Sequence, residues 1–361
     1  MNAPLRVLTM GFNGAFNEAL ARREGLQVTS LSQETKARCS DLLRVMPYEM
    51  KSKLSMRAIA RVSKTIREVQ PDVVLTYGSR PLAHTVLSTS GMKSSQHIYS
   101  FRSATTPPSK LHAEEWITYL SPRVTAHACE SQAALEGLVA AGIPRERCFL
   151  AYNCLGETPK PASRSDLDRF GIPRDAFVVA MAANLRPSAG ADVLLRAAAE
   201  CADLKDTYWF LMGQNRDSRL KRLAKDPGIR DRVVMPGFVP GATSIAATAD
   251  LYIAPSRNEA LSTSLLEAMC LGACPVVSNA GAMKEAVRDS QDGVVFSHEN
   301  PSDLAAAIRN LYTHRELVAC FSHAASKRYS TTFTANAMAQ RIGLRLGRHR
   351  IEKRPNGSLV A

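Results

Sequence analysis

Two glutamates eight positions apart, Glu259 and Glu267, have the residue type and the setting that suit chemistry. Glu259 lies in a polar loop after the apolar run Leu251–Ala254, and Glu267 lies on a predicted helix that Thr263 or Ser264 can cap. A loop that opens onto a helix N-terminus gathers free backbone N–H groups and the positive end of the helix dipole. The sequence therefore predicts a site for phosphate and sugar oxygens here.

Short apolar runs alternate with helical patterns on both sides of this loop. In the first half, strands are predicted over 5–10, 27–31, 73–77, 97–101 and 124–129, and helices over 16–23, 56–69, 81–90, 111–120 and 132–141. In the second half, strands are predicted over 178–182, 209–212, 233–235, 249–254 and 294–296. Strands that alternate with helices indicate parallel sheets. A length of 361 residues suggests two domains, with a proline-containing linker over 155–165.

The composition is that of a soluble globular protein. Hydrophobic residues make up 45% of the chain and charged residues 22%, which disfavours disordered and fibrous classes. No apolar run is long enough for a membrane span, and the N-terminus does not resemble a signal peptide. The eight cysteines have no CxxC spacing. We therefore expect reduced thiols and a cytoplasmic location.

The net charge of +13 calls for an anionic partner or another explanation. Residues 36–67 carry nine basic and two acidic side chains, interleaved with apolar ones. A helix there would present a basic amphipathic surface, which suits the anionic inner face of a membrane. A solvated helix with one packed face explains the pattern equally well. Nucleic acid is disfavoured, because Tyr48 is the single aromatic residue of this stretch that could stack on a base.

The ordered residues around the glutamate pair resemble the donor-site signature of glycosyltransferase family four. The string consists of Glu259, Glu267, Ala268, Met269, Gly272, Pro275, Val276, Val277, Gly281 and Glu285. The resemblance implies an α/β chain of GT-B architecture, with two doubly wound, Rossmann-like domains facing across a cleft. It places an acceptor-side domain at 1–158, a nucleotide-sugar-binding domain at 170–332, a return helix that packs on the first domain at 333–347, and a mobile basic tail at 348–361.

The same resemblance implies an activity and its partners. The protein would move a sugar, with retention of configuration, from a nucleotide-diphosphate sugar to a glycolipid or polysaccharide precursor, as in lipopolysaccharide core or exopolysaccharide synthesis. A UDP-sugar is the favoured donor, with GDP- and ADP-sugars as alternatives. No metal or other cofactor is implied. The DxD letters at 166–168 lie at the start of a predicted helix, where we interpret them as solvated charge.

The resemblance also assigns roles to individual residues, according to the positions that they occupy in the motifs of the family. Glu267 would bind the ribose hydroxyl groups, and Glu259 would face the sugar ring. The backbone N–H groups of Ala260, Leu261 and Ser262 would meet sugar and phosphate oxygens. In the first domain, a glycine-containing loop after the first strand would lie under the donor and the acceptor, which indicates Asn13 and Gly14.

The phosphate clamp of the family is altered in this sequence. Asn184 and Ala189 stand where members of the family have an arginine and a lysine. Arg186 is our first candidate for the missing cation and Arg257 the second, and Arg102 takes the place of a histidine near the reaction centre. An alternative to an active enzyme follows from these changes. It is a catalytically weak sugar-nucleotide-binding protein of GT-B fold that acts at a membrane surface.

Overall fold

A computed structural model describes residues 3–32, 43–49, 52–90 and 96–352, without the side chains of 348–352. The chain divides into two compact units. One consists of Met1–Gly156 and Thr334–Ala361, and the other consists of Glu157–Phe333. Each unit is an α/β structure built around its own parallel sheet. Among the described residues, no helix combines the length and apolar character that crossing a bilayer requires.

The described residues of the first unit contain seven strands in the order β3-β2-β1-β4-β5-β6-β7, all paired in parallel. These strands are β1 (Leu5–Met10), β2 (Leu26–Ser32), β3 (Leu43–Pro47), β4 (Val73–Tyr77), β5 (His97–Arg102), β6 (Val124–Cys129) and β7 (Cys148–Leu150). The helices between them are α1 (Gly14–Ala21), α2 (Met56–Val69), α3 (Ser79–Thr89), α4 (Ala113–Trp116) and α5 (Gln132–Ala140).

The second unit is described throughout and has six parallel strands in the order β10-β9-β8-β11-β12-β13. These strands are β8 (Phe177–Ala182), β9 (Thr207–Met212), β10 (Val233–Gly237), β11 (Leu251–Ala254), β12 (Pro275–Ser278) and β13 (Val294–Phe296). The helices are α6 (Ala191–Glu200), α7 (Leu220–Leu223), α8 (Ala242–Ala246), α9 (Thr263–Cys270), α10 (Met283–Ala286), α11 (Pro301–Thr313) and α12 (Arg315–Thr332).

Strand β8, in the middle of the second sheet, is apolar along its whole length because helices cover both faces of the sheet. All six residues of β8 are buried. Phe177, Val179 and Met181 pack into one core with Leu194 of α6 and Ile308 of α11. Unbroken burial of this kind is expected in parallel sheets, whose strands do not alternate between core and solvent. The packing holds the carboxyl ends of β8 and its neighbours in fixed positions.

The last helix among the described residues, α13 (Ala335–Glu352), belongs to the first unit. Its residues Met338, Ile342 and Leu346 are buried in the core that also contains Phe16 and Leu20 of α1. The helix continues five residues beyond the predicted end at 347, because neither glycine nor proline occurs between 348 and 352. The predicted tail at 348–361 is therefore helical at its start, and 353–361 lies outside the described residues.

Several elements match the sequence predictions and others do not. Strands over 5–10, 73–77, 124–129 and 294–296 and the helix over 56–69 are confirmed. The helix predicted over 111–120 is wrong: α4 ends at Trp116, where a bond from the Leu120 N–H to the Glu115 carbonyl closes a wider turn. Residues 43–47 form β3, so 36–67 is not one helical surface, and 36–42 and 50–51 lie outside the described residues.

Candidate functional site

A cavity of about 400 Å³ lies in the second unit, where β8, β9 and β11 end. Ala182, Met212 and Ala254, the last residues of these three strands, all line it. The strand order changes direction between β8 and β11, and open α/β sheets bind ligands outside the carboxyl ends of strands at such a point. The volume of the cavity falls in the range of about 300–1,000 Å³ that is usual for small-molecule sites.

The lining of this cavity is charged and rich in hydroxyl groups, with one exposed aromatic ring. Arg186 and Glu259 supply opposite charges, and Phe238 contributes a side chain that is 78% exposed. The other lining residues with polar side chains are Asn184, Thr243, Tyr252, Ser256, Ser262, Thr263 and Ser264. Such a wall can bind an anionic ligand with many hydroxyl groups, and the ring offers a flat face for stacking.

A close approach of two backbone segments fixes the Glu259 loop. The Ala282 N–H donates to the Glu259 carbonyl at 3.1 Å. Gly281 has φ +55°, and a Cβ at this position would lie 2.1 Å from the same carbonyl oxygen. Any residue with a side chain would collide with the loop as well as strain its own backbone. The glycine of the signature therefore positions the glutamate of the signature.

The carboxyl group of Glu259 is half-buried in the cavity wall. Burial raises its pKa above the usual value, whereas the Arg186 guanidinium and a hydrogen bond from Ser256 oppose this rise. The positive charge of Arg186 therefore lowers the pKa of the Glu259 carboxyl group. These two side chains place a carboxylate and a cation in one cavity, together with the hydroxyl groups of its lining.

Arg186 lies in the loop after β8, just before a short 3₁₀ turn that begins at Pro187. Its side chain is exposed and lines the cavity. Within the second unit, which is fully described, its guanidinium makes no salt bridge. Asn184 and Ala189, which we predicted to replace the cations of the family, line the same cavity without charge. Arg186 is thus a cation that a ligand phosphate could approach.

Arg257 occupies a different place from the one we predicted. Its guanidinium donates to the Asp192 carboxylate at 2.8 and 2.9 Å and to Glu299 at 2.7 Å, and it also contacts the Pro187 carbonyl. The bond with Asp192 is the main cause that raises the pKa of Arg257. Arg257 does not line the cavity. It ties the Glu259 loop to the start of α6 and is already neutralised, so it is a poor candidate for binding phosphate.

The first turn of α9 faces the cavity. Ser262 is the N-cap of α9 and accepts a hydrogen bond from the Leu265 N–H at 3.4 Å, so the prediction that Thr263 or Ser264 caps this helix is wrong. The chain is already helical at Thr263. The side chains of Ser262, Thr263 and Ser264 surround this helix start and line the cavity. Hydroxyl groups and the positive end of the helix dipole together suit a phosphate or a sugar.

Three other predicted contacts lie next to the cavity lining and not in it. Leu261 is buried and Ala260 is half-buried. Glu267 lies one turn after Ser264 on α9, is half-buried and makes no ion pair in the second unit. Burial chiefly, and the Glu267 carboxylate to a smaller extent, raise the pKa of Tyr252, which does line the cavity. Glu267 therefore lies beside the wall that Tyr252 forms.

Asn13 and Gly14 belong to the first unit, at the start of α1. The side-chain oxygen of Asn13 accepts a hydrogen bond from the Phe16 N–H at 2.8 Å and caps α1. Its amide nitrogen is 3.9 Å from the Cys154 sulfur. A Cβ built on Gly14 would meet no atom within 4 Å, so open space adjoins this residue. The cap is a structural role for Asn13, and Gly14 leaves room beside it.

Arg102 faces the interior of the first unit, whereas we predicted an arginine near a reacting group. The residue is 4% exposed, and its Nη2 donates to the Thr106 carbonyl at 2.6 Å. The guanidinium lies over the ring of Tyr119, 4.4 Å from its centroid. A buried arginine held by a carbonyl and an aromatic ring stabilises the fold. Its geometry gives no support to a catalytic role.

Ser256 and Thr243 are among the lining residues that the sequence reasoning missed. Ser256, which donates a hydrogen bond to Glu259, lies in the loop between β11 and Glu259. Its residue type alone does not distinguish it from other loop serines. Thr243 is on α8, a helix of five residues that is too short to show a periodic pattern.

Among the described residues, no group of three or more histidine, cysteine, aspartate or glutamate side chains is arranged to hold a metal ion.

Solved structures similar to this chain define the class of its fold. The Anabaena protein Alr3699/HepE in complex with UDP superposes with a TM-score of 0.75 at 19% identity, covering 95% of this chain and 100% of that chain. A glycosyltransferase from Rickettsia africae superposes with a TM-score of 0.77 at 14% identity, covering 98% of this chain and 100% of that chain. The fold, with its two Rossmann-like units, is the GT-B fold.

Residues 163–328 match the family described as glycosyl transferases group 1. The D-inositol 3-phosphate glycosyltransferase of Thermobispora bispora is 28% identical over 254 residues, which cover 65% of this chain and 58% of that protein. Its counterpart in Geodermatophilus obscurus is 28% identical over 270 residues, covering 71% and 58%. The chain thus spans little more than half the length of these relatives.

Proposed function

We propose that this protein is a retaining glycosyltransferase that moves a sugar from a nucleotide-diphosphate sugar to an acceptor hydroxyl group. The observation that carries the proposal is the cavity at the switch point of the group 1 domain, in which Arg186 and Glu259 share one wall with the start of α9. A donor of this kind needs a cation and N–H groups at its phosphates and a polar wall at its sugar. This cavity has both.

Each residue of the cavity has a separate role in the transfer reaction. The bond between the anomeric carbon and the diphosphate oxygen breaks, and negative charge grows on the diphosphate. The acceptor oxygen bonds to the same carbon on the same face, and its proton passes to the departing diphosphate. Arg186 and the N-terminus of α9 stabilise this charge, while Glu259 holds the sugar ring in the reactive orientation. Glu267 binds the ribose hydroxyl groups from its place beside Tyr252. The backbone N–H groups of Ala260 and Leu261 supply further donors.

A UDP-sugar is the donor that we favour. The Anabaena protein of similar fold has been crystallised with UDP and with UDP-glucose. In this chain the exposed ring of Phe238 lies in the cavity lining, where it can stack on a nucleobase. Stacking by itself does not distinguish uracil from guanine or adenine. GDP- and ADP-sugars therefore remain the alternatives that a binding assay must include.

For the acceptor we propose a glycolipid or polysaccharide precursor of the cell envelope, met at the cytoplasmic face of the membrane. The lipopolysaccharide outer core galactosyltransferase WaaB has a similar fold, with a TM-score of 0.69 at 13% identity. The names of the curated relatives favour a second candidate, an inositol phosphate. Both acceptors present a hydroxyl group near an anionic group, so the assay must offer both.

One observation favours a catalytically weak sugar-nucleotide-binding protein as the second candidate function. Asn184 and Ala189 line the cavity at the positions where the family carries cations. A site that depends on Arg186 alone has less charge to stabilise the departing diphosphate. Such a protein would bind the nucleotide without releasing it from the sugar.

A donor panel tests the proposal. The protein is mixed with UDP-, GDP- and ADP-sugars, and thermal unfolding is followed, since a ligand that binds the native state raises its stability by mass action. Sugars that shift the unfolding midpoint are then offered with a glycolipid acceptor or with inositol 3-phosphate. Release of the nucleoside diphosphate together with a product of unchanged anomeric configuration supports the retaining enzyme. Binding without release identifies the weak binder, and the absence of any shift contradicts both functions.

A further inference from the structure

Four large apolar side chains of the first unit are exposed to solvent on two neighbouring segments. They are Leu54 (66% exposed), Met56 (75%), Leu111 (94%) and Trp116 (50%). An ion pair between Lys53 Nζ and Glu114 Oε2, at 2.7 Å, joins the segment before α2 to α4. We call these four side chains the apolar rim. Exposed apolar side chains gathered in one place mark an interaction surface more often than isolated ones do.

The polar groups near the rim already have partners within the protein. The Trp116 indole N–H donates to the Lys110 carbonyl at 3.0 Å. The backbone N–H of Leu111 donates to the Ser109 hydroxyl at 3.3 Å, and that of His112 donates to the Ser109 carbonyl at 3.2 Å. The ring of Trp116 and the side chain of Leu111 can therefore leave water without stranding these donors. This removes the main cost of moving them into an apolar medium.

Cationic side chains lie beside the apolar rim, on α2 and at Lys110. Helix α2 starts at Met56 and turns Ala58, Val62 and Ile66 into the core. Its remaining sides carry Arg57, Arg61, Lys64 and Arg67, and Lys110 adjoins Leu111. Among the described residues Arg57 and Arg61 form no salt bridge, and the acidic Glu114 is paired with Lys53. Lys64 is paired with Glu68 of the same helix at 3.8 Å, and Glu115 adds one negative charge beside Trp116. The charge that remains next to the rim, from Arg57, Arg61, Arg67 and Lys110 against Glu115, is positive.

We propose that the apolar rim and the α2 cations dock on the surface of an anionic lipid bilayer. A tryptophan with a satisfied N–H, exposed aliphatic side chains and a basic helix beside them fit a headgroup layer, where apolar tips enter and cations stay at the phosphates. A protein partner of matching charge would instead favour a closed apolar patch. This docking is independent of the sugar-nucleotide cavity, and it is tested without any sugar nucleotide.

Vesicle binding of the full chain is the test. The protein is mixed with vesicles of phosphatidylcholine alone or of phosphatidylcholine with phosphatidylglycerol, and the bound fraction is measured by sedimentation. We expect binding to the anionic vesicles that weakens as salt rises. The chain has two tryptophans, and Trp209 is fully buried. A blue shift of emission on binding, absent in Trp116→Phe, therefore reports entry of Trp116 into the bilayer.

Matched variants separate the rim from general charge. Leu111→Ser should weaken partitioning about tenfold, whereas Leu344→Ser, a change at a leucine that is 63% exposed on α13, should leave it unchanged. Replacing both Arg57 and Arg61 by glutamine should weaken it by about fivefold for each cation. The same change in net charge at Lys221 and Lys225, which are exposed in the second unit, should have little effect.

Three results would overturn the proposal. The first is equal binding to neutral and anionic vesicles. The second is binding with no change in Trp116 emission, which would mean attraction by charge alone. The third is a dimer in solution that Leu111→Ser dissociates, which would identify a second copy of this chain as the occupant of the rim.

Discussion

Removing the guanidinium of Arg186 should slow sugar transfer about a hundredfold or more and weaken donor binding less. Arg186 lines the cavity and makes no salt bridge in the second unit, so its charge is available to a bound ligand. The neighbouring Asn184 and Ala189 cannot replace that charge. Loss of one donor aimed at developing negative charge costs about 10²–10³ in turnover, about 2.7–4 kcal/mol. Because the charge on the diphosphate grows in the transition state, kcat should fall more than donor affinity.

The assay follows nucleoside diphosphate release by Arg186→Ala and by the wild type, with kcat and KM determined separately. Arg196→Ala is the matched control, because Arg196 is exposed on α6 of the same unit and does not line the cavity. It should keep both constants. Full kcat in Arg186→Ala would refute the assignment. A rise in KM alone would show that the side chain binds the ground state and the transition state equally.

The same substitution should also shift the pH dependence of turnover. The Arg186 guanidinium lowers the pKa of Glu259 and so opposes the effect of burial. Without that cation the carboxyl group keeps its proton to higher pH. If the ionised form is the active one, the acid limb of the kcat profile should move to higher pH in Arg186→Ala. An unmoved limb would show that Glu259 does not set it.

Four further substitutions test the roles of individual residues. Glu259→Gln should lower turnover and yet raise the unfolding temperature near neutral pH, because burial raises the pKa of this carboxyl group and makes its ionised form costly. Glu267→Ala should weaken donor binding by about 1.5–3 kcal/mol through lost bonds to the ribose. Gly281→Ala should destabilise the protein and lower turnover, since its Cβ would lie 2.1 Å from the Glu259 carbonyl. Arg257→Ala should cost about 3 kcal/mol of folding stability by leaving buried Asp192 without its main partner.

Each of these expectations has a control or a contradicting outcome. The stability gain of Glu259→Gln should vanish below the usual glutamate pKa of 4.5, where the carboxyl group is protonated in both folded and unfolded chains. Gly272→Ala is the control for Gly281→Ala, since Gly272 also has positive φ (+83°) but open space around it. Equal loss of turnover in the two variants would rule out the clash. Unchanged donor affinity in Glu267→Ala, with the fold intact, would remove the ribose role. Arg257→Ala should keep its kcat at a temperature where it is folded.

The sequence allowed the framework of the site to be predicted because its strands are continuous apolar runs. Residues 178–182, 209–212 and 251–254 are buried on both faces, and a run of this kind between helical patterns indicates a parallel strand. The place of Glu259 after such a strand followed directly. The structure also explains why a glycine occurs at position 281 of the signature. The backbone of Gly281 contacts the loop of Glu259 too closely for a side chain.

Side-chain direction could not be predicted in the same way. Arg257 is two positions from Glu259 in sequence, but its partner Asp192 lies 65 residues away and turns the guanidinium from the cavity. Arg102 is buried because Tyr119 offers its ring from a segment that we predicted to be helical. Both outcomes depend on contacts between distant segments, and spacing along the chain carries no information on them. The apolar pattern over 111–120 likewise gave no sign that the helix ends at Trp116.

A crystal structure of the full chain with a bound UDP-sugar tests the central claim most directly. The claim predicts electron density for the nucleotide sugar in the cavity at the ends of β8, β9 and β11. It places the diphosphate within hydrogen-bonding distance of Arg186 and the first turn of α9, and it places the sugar ring against Glu259. Density at another site, or a diphosphate held away from both Arg186 and α9, would contradict the claim.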